Sequence, residues 1–289
     1  MKIALDPTPF YYDYKLLKLP QAVADAGYRY MQLAPHDDFL PFYTHPKADD
    51  ELVHDLAKAC KNAGVELVSL LPVYRTSWPD ERERQWAVRN WKRAIEIAAI
   101  LGIHTINSEF SGIPERYEES EAGFYSTMEE ILPLLEREGI VINFDPHPYD
   151  FVENGMDAHR VLRGLNSDLV GSVYVSSHTF HYGNAVHEIT QAESTKLRSV
   201  YISDAYDHNR SHGLRYISNP PGTNARVHQH LKVGDGDVDF KDLFQALKTN
   251  GFLDREDSLI VSNVFAEDET AHDTSVYQRQ TIEQLIKEA

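Results

Sequence analysis

Eight short apolar runs rich in Val and Ile recur along the chain, and an amphipathic segment follows each of them. The runs lie near Lys2–Pro7, Tyr30–Pro35, Val65–Tyr74, His104–Phe110, Ile140–Pro146, Ser172–Ser177, Arg198–Asp204 and Ser258–Phe265. Between Arg84 and Leu101, Val88, Trp91, Ile95 and Ala98 share one helical face, and Gly102 follows as a C-terminal cap. Further helices are expected at Leu16–Ala26, Asp50–Ala63, Ser120–Glu138, Asp157–Leu165, Val186–Ser194, Asp239–Thr249 and Thr270–Lys287. Near-continuous apolar strands alternating with helices imply a parallel sheet covered on its outer face. Eight such units in 289 residues predict a (β/α)8 TIM barrel, an α/β fold. The rival doubly wound sheet usually has a Gly-rich turn after its first strand. Here that turn reads DPTPFYY.

No linker-like or low-complexity tract divides the sequence, so 1–289 is expected to be one domain. Its one anomaly is a long polar stretch, 205–237, after the seventh strand. Loops of that length in compact domains are usually functional or disordered, and its Pro/Gly and aromatic content favours function. Lys and Arg number 28 against 45 Asp and Glu, a net charge of −17. Such a surface repels polyanions on average, which argues against nucleic acid and anionic membranes as partners. Cys60 is the single cysteine. No intrachain disulfide and no cysteine-built zinc site can form, and a reducing compartment fits. The N-terminus turns polar at once and no apolar run approaches a membrane span. The expectation is a cytoplasmic protein; a homo-oligomer is compatible with it.

In a barrel of this kind the active site lies at the C-terminal ends of the strands. His147 (NFDPHPYD), His178 (VSSHTF), and His228 and His230 (VHQH) fall there, with Glu109, Asp145 and Asp204. Asp6 and His36 follow the first two strands. Converging imidazoles and carboxylates with few basic residues suit a divalent cation such as Mn2+, Zn2+ or Co2+. Glu109, His147, His178, His228 and His230 are the candidate ligands. Asp145 and His147 would share a face if the backbone stayed extended, and they are the candidate bases. Asp204 is a third candidate catalytic group, or else it closes the loop by bonding backbone amides. Helix-borne His54, His159 and His187 read as solvent-facing.

The strand-five D-P-H, the strand-six S-S-H and the stretch HQHLKVGDGDVDF resemble the xylose isomerase-like superfamily. Within it, RYISNPPG, NSEFSG, PHPYDF and SHTFHY are similar to proteins of myo-inositol catabolism, along essentially the whole chain. Ketose epimerases of this superfamily hold one metal with Glu, Asp, His and Glu. The resemblance implies that Asp145 takes one of those places while Val175, Tyr201 and Ser262 occupy the others. His178 and the His228/His230 pair fall instead where endonuclease IV holds a metal with His, Asp and His. The implied metal has therefore moved toward the strand-six and loop-seven side.

For a polyol, cyclitol or keto-sugar, a cation polarises a carbonyl and a neighbouring base moves the proton. Strand eight (SNVFAED) offers no acid at its rim, which argues against two-base epimerisation and for one-sided isomerisation or dehydration. Arg215, Tyr216, Asn219 and Lys232 are candidates to bind the substrate, and Tyr11, Tyr12, Trp78 and Phe180 to wall it. Two rivals stand beside this reading: an endonuclease IV-like phosphodiesterase, and a sugar-binding accessory protein without catalysis.

Overall fold

The computed structural model describes residues 1–180, 186–207, 229–265 and 271–289, and the backbone alone at 216–218 and 226–228. Eight parallel strands close into a barrel: β1 (Lys2–Leu5), β2 (Tyr30–Leu33), β3 (Glu66–Leu70), β4 (Thr105–Glu109), β5 (Val141–Asp145), β6 (Val170–Val175), β7 (Leu197–Ile202) and β10 (Leu259–Ser262). Closure comes from β1, which pairs with β10 from Lys2↔Leu259 to Leu5↔Ser262 and with β2 at Ala4↔Tyr30. The long loop contributes β8 (Tyr216–Ser218) and β9 (Arg226–His228), an antiparallel ribbon outside the barrel.

The helices are α1 (Leu19–Asp25), α2 (Asp50–Ala63), α3 (Glu81–Leu101), α4 (Tyr117–Glu138), α5 (Gly155–Gly164), α6 (Ser176–Thr179), α7 (Val186–Ala192), α8 (Phe240–Thr249) and α9 (Ala271–Glu288). Several are fixed by side-chain caps. The carboxylates of Asp49, Asp80 and Asp239 accept from the amides of Leu52, Glu83 and Asp242. Gly64, Gly102 and Gly139 end α2, α3 and α4 in the left-handed conformation that costs glycine little. The apolar face expected on α3 is buried to the last residue: Val88, Trp91, Ile95 and Ala98 are each at most 1 % exposed. Two expected elements differ. The first helix opens as a 3-10 turn at Leu16–Lys18, because Pro20 has no N–H to extend an α-helical ladder backwards. The sixth strand stops at Val175, and Ser176–Thr179 turn into α6.

Most of the core lies between barrel and helices, where Trp91, Phe110, Phe124 and Phe144 are fully buried. The barrel interior is more polar than the usual Val/Ile/Leu filling. Gln32 Oε1 accepts from Ser69 Oγ, Asn107 Nδ2 and Tyr201 OH, each at 2.8 Å, so one buried amide ties β2, β3, β4 and β7 together. This network forms a rigid floor beneath the open C-terminal mouth.

Candidate active site

β5 ends at Asp145 and its carboxylate is buried at the mouth. Across from it, the turn of α6 lifts His178 over the barrel opening. His178 Nδ1 faces Asp145 Oδ2 at 3.2 Å and the Pro146 carbonyl at 3.3 Å. Its Nε2 lies 3.0 Å from Nε2 of His230. His230 Nδ1 in turn faces the Asn263 carbonyl at 3.1 Å and Ser203 Oγ at 3.3 Å, and Phe265 stacks on its ring at 4.4 Å. Where each Nδ1 donates to its carbonyl, the two Nε2 atoms present lone pairs to one another at 3.0 Å, an arrangement that suits a shared proton or a cation between them.

His147 completes the row. Its ring meets that of His178 edge-on at 4.9 Å, its Nδ1 donates to the Pro148 carbonyl at 2.9 Å, and its Nε2 lies 3.6 Å from Glu109 Oε1. The chain leaves the strand at Asp145, and the His147 amide closes the following loop on the Val152 carbonyl at 3.0 Å. Asp150, a residue sequence reasoning passed over, anchors that loop to its neighbour. Its buried carboxylate accepts from the backbone amides of Ser111, Gly112 (2.7 Å) and Phe151 (2.7 Å). The second acid of the DPHPYD motif was the available signal.

Electrostatics follow burial. Desolvation holds Asp145 well above the usual carboxylate range, and the nearby Glu109 and Asp150 carboxylates add to it. Asp150 is pushed up to about 6, mainly by burial, and His230 is pushed down to about 4 by the same cause. Asp6, on the opposite side of the mouth, is raised to about 6 and accepts from Asn263 Nδ2 at 2.8 Å.

Other candidates are placed elsewhere. Asp204 is fully buried, and its carboxylate accepts from the amides of Ala205, Gly234, Gly236 and Val238 at 2.9–3.1 Å. That corrects the catalytic expectation: four backbone donors occupy its lone pairs, and its work is to fold the GDGD turn. Lys232 lies 3.4 Å from Asp235 and 5.3 Å from the centre of the Tyr277 ring, so its ammonium is directed to α9 rather than to the histidines. His36 Nδ1 accepts from the Asp38 amide and its ring packs on Tyr11, a local structural role. Tyr12 is 96 % exposed and walls nothing. Arg215 and Asn219 lie outside the described residues, as do the side chains of Tyr216 and His228.

Among the described residues, no group of three or more His, Cys, Asp or Glu side chains is arranged to hold a metal ion. The donors present nonetheless suit part of such a shell. Two imidazole nitrogens on one tetrahedral ion lie about 3.3 Å apart, a few tenths of an ångström wider than the His178–His230 contact. Each imidazole is also held from behind by an oxygen, as metal-bound histidines almost always are. Val175, Tyr201 and Ser262, the residues that the resemblance set against the ketose epimerase ligands, are all buried.

A family model described as "Xylose isomerase-like TIM barrel" matches residues 20–284. An inosose isomerase from Bacillus velezensis is 23 % identical over 235 residues, covering 79 % of this chain and 77 % of the relative. Among solved structures, an IolI protein with a bound zinc atom superposes with a TM-score of 0.73 at 20 % identity, covering 99 % of this chain and 98 % of its own. A D-tagatose 3-epimerase-like protein superposes at 0.77 with 16 % identity, covering 100 % and 99 %. At these identities the structures establish the barrel; their chemistry is their own.

Proposed function

The chain belongs to the xylose isomerase-like TIM barrel family, and on that footing we propose that it is a metal-dependent isomerase, epimerase or dehydratase. Its substrate is a cyclitol or keto-sugar of inositol or carbohydrate catabolism, and it works in the cytoplasm. One observation carries the reading: His178 and His230 point Nε2 to Nε2 at 3.0 Å, each with its Nδ1 on a fixed oxygen. That arrangement suits a cation. His178 and His230 would be its principal ligands, with His228, His147 or Glu109 to complete the shell. Held there, a divalent ion such as Mn2+, Zn2+ or Co2+ would supply a Lewis acid for a substrate carbonyl and its adjacent hydroxyl and so acidify the neighbouring C–H.

The chain's own groups handle the proton. Asp145 is buried with a raised pKa, so it holds a proton at neutral pH more readily than an ordinary carboxylate. His147 stands beside it with Glu109 at its Nε2. Among the described residues, the end of β10 presents Ser262 and Asn263, and the carboxylate on that side, Asp6, is fully buried and held by Thr8 and Asn263. With Asp6 engaged by Thr8 and Asn263, isomerisation or dehydration served from the Asp145 and His147 side is favoured over two-base epimerisation. Arg215, Tyr216 and Asn219 of the long loop bind substrate hydroxyls.

Elemental analysis tests the metal, and solvent-deuterium exchange into the substrate α-carbon tests the chemistry. Wild type is expected to carry about one divalent ion per chain, and His178→Ala to lose ion and exchange together while keeping its circular dichroism spectrum. A wild type that holds no stoichiometric ion, and gains no thermal stability from added Mn2+, Zn2+ or Co2+, would favour a sugar-binding accessory protein instead.

A further inference from the structure

In the segment that follows β3, Arg75 stands in an aromatic bracket. Its guanidinium carbon lies 4.3 Å from the centre of the Trp78 ring and 5.7 Å from that of Tyr43. Stacking of this kind fixes the plane of a guanidinium while leaving its edge N–H groups available for bidentate bonding to anionic oxygens. Its ion pair is weak: one nitrogen reaches Glu83 at 3.4 Å, and the two side chains are 40 % and 36 % exposed. Tyr43 connects this bracket to the site, for its hydroxyl lies beside Ser111 and within the field of Glu109. Ser111 Oγ is itself 3.4 Å from Glu109 Oε2.

The backbone marks the same rim. Tyr43 (φ 54°) and Ser111 (φ 54°) both sit in the left-handed region, as does Tyr149 (φ 64°) on the next loop. Each such residue is strained and persists only where the surroundings impose it; such residues cluster at ligand-binding and active sites. Tyr43 is imposed by its amide, which donates to the Val73 carbonyl at 3.0 Å. Half-exposed aromatic surface, a pre-oriented cation and imposed strain therefore coincide along one edge of the mouth.

We infer that Arg75, bracketed by Trp78 and Tyr43, is a specificity determinant that receives an anionic group, a carboxylate or a phosphate ester, at the end of the substrate remote from the reacting carbon. The polarity is consistent: Glu109 lies on the inner side and repels an anion, so the charged end is turned outward to Arg75 while the neutral polyol lies inward. The inference rests on the proposed sugar chemistry for its substrate class, but the binding test does not need turnover.

Calorimetric titration of the full chain with D-fructose, D-fructose 6-phosphate, D-glucuronate and inorganic phosphate alone reads it directly. Either the 6-phosphate or glucuronate is expected to bind at least about tenfold tighter than D-fructose, as one charge-assisted bidentate contact can supply. Whichever of the two shows that gain identifies the anion as phosphate ester or carboxylate. Arg75→Gln is expected to abolish the preference, and with it the binding of inorganic phosphate if the phosphate ester is the form preferred. A preference that survives in Arg75→Gln, or one absent from wild type, overturns the inference. Metal content and deuterium exchange, measured on the same samples, report separately on the reading beneath it.

Discussion

Glu193 has both carboxylate oxygens buried without a hydrogen-bond partner, at the junction of α7 with β6 and the start of α5. Ser172, Tyr174, Gly155 and Ile189 face it, and the phenol of Tyr174 is the titratable group whose field it shares. Burial raises its pKa from the usual 4.5 to about 8, so the carboxyl is largely protonated at neutral pH. The folded form then holds a proton that the unfolded chain releases from about pH 4.5 upward, and stability falls as pH rises from there to about 8. Glu193→Gln removes the ionisation at nearly constant shape. Its unfolding free energy is expected to exceed that of wild type at pH 9 by an amount on the order of a few kcal/mol, the gap closing near pH 5. Urea titrations at pH 5, 7 and 9 check this; parallel curves for the two proteins would show that Glu193 is charged in the fold.

At the scale of elements, the sequence was most legible where burial imposes a period. The eight barrel strands and the buried face of α3 could be read directly, because each repeats an apolar residue on the interval its geometry demands. The first turn of α3, Glu81–Glu83, could not, since it is wholly charged and is set by the Asp80 cap. The turn of α6 was equally hidden: four polar residues carry no periodicity, yet they decide where His178 stands. Residue types at strand ends pointed to Asp145, His147, His178 and His230, whereas which atoms face one another depends on loop closures that only the folded chain supplies. Asp204 illustrates this, for the same acid at a strand end serves chemistry or a turn according to its neighbours. Asp204→Asn keeps the shape but replaces one acceptor oxygen with a donor, facing backbone N–H groups that cannot accept. It is expected to lower stability by about 2 kcal/mol with metal content unchanged, measured by denaturation and elemental analysis. Loss of metal with intact stability would return Asp204 to the catalytic set.

For the molecule as a whole, the charge of −17 and the shape of the mouth act on different ranges. The long-range field repels polyanions, and salt screens it within about 10 Å at ordinary ionic strength. An Arg75 site of the kind inferred would act by contact, inside that range, so one small anion could be captured there while a chain of phosphates meets the net negative charge of the molecule. A nucleic-acid enzyme needs the opposite arrangement, a basic track that neutralises several phosphates at once and gives binding a steep salt dependence. The barrel and some histidine positions are compatible with endonuclease IV-like chemistry, so the charge distribution, not the fold, separates the two readings. Binding to a duplex carrying an abasic site is therefore expected to be unsaturated at low micromolar protein and physiological salt, with the strand left intact. Fluorescence anisotropy and a gel assay for nicking, with and without added Zn2+, measure both. Saturable binding accompanied by cleavage would mean that a local basic surface outweighs the net charge, and would move the protein to the phosphodiesterases.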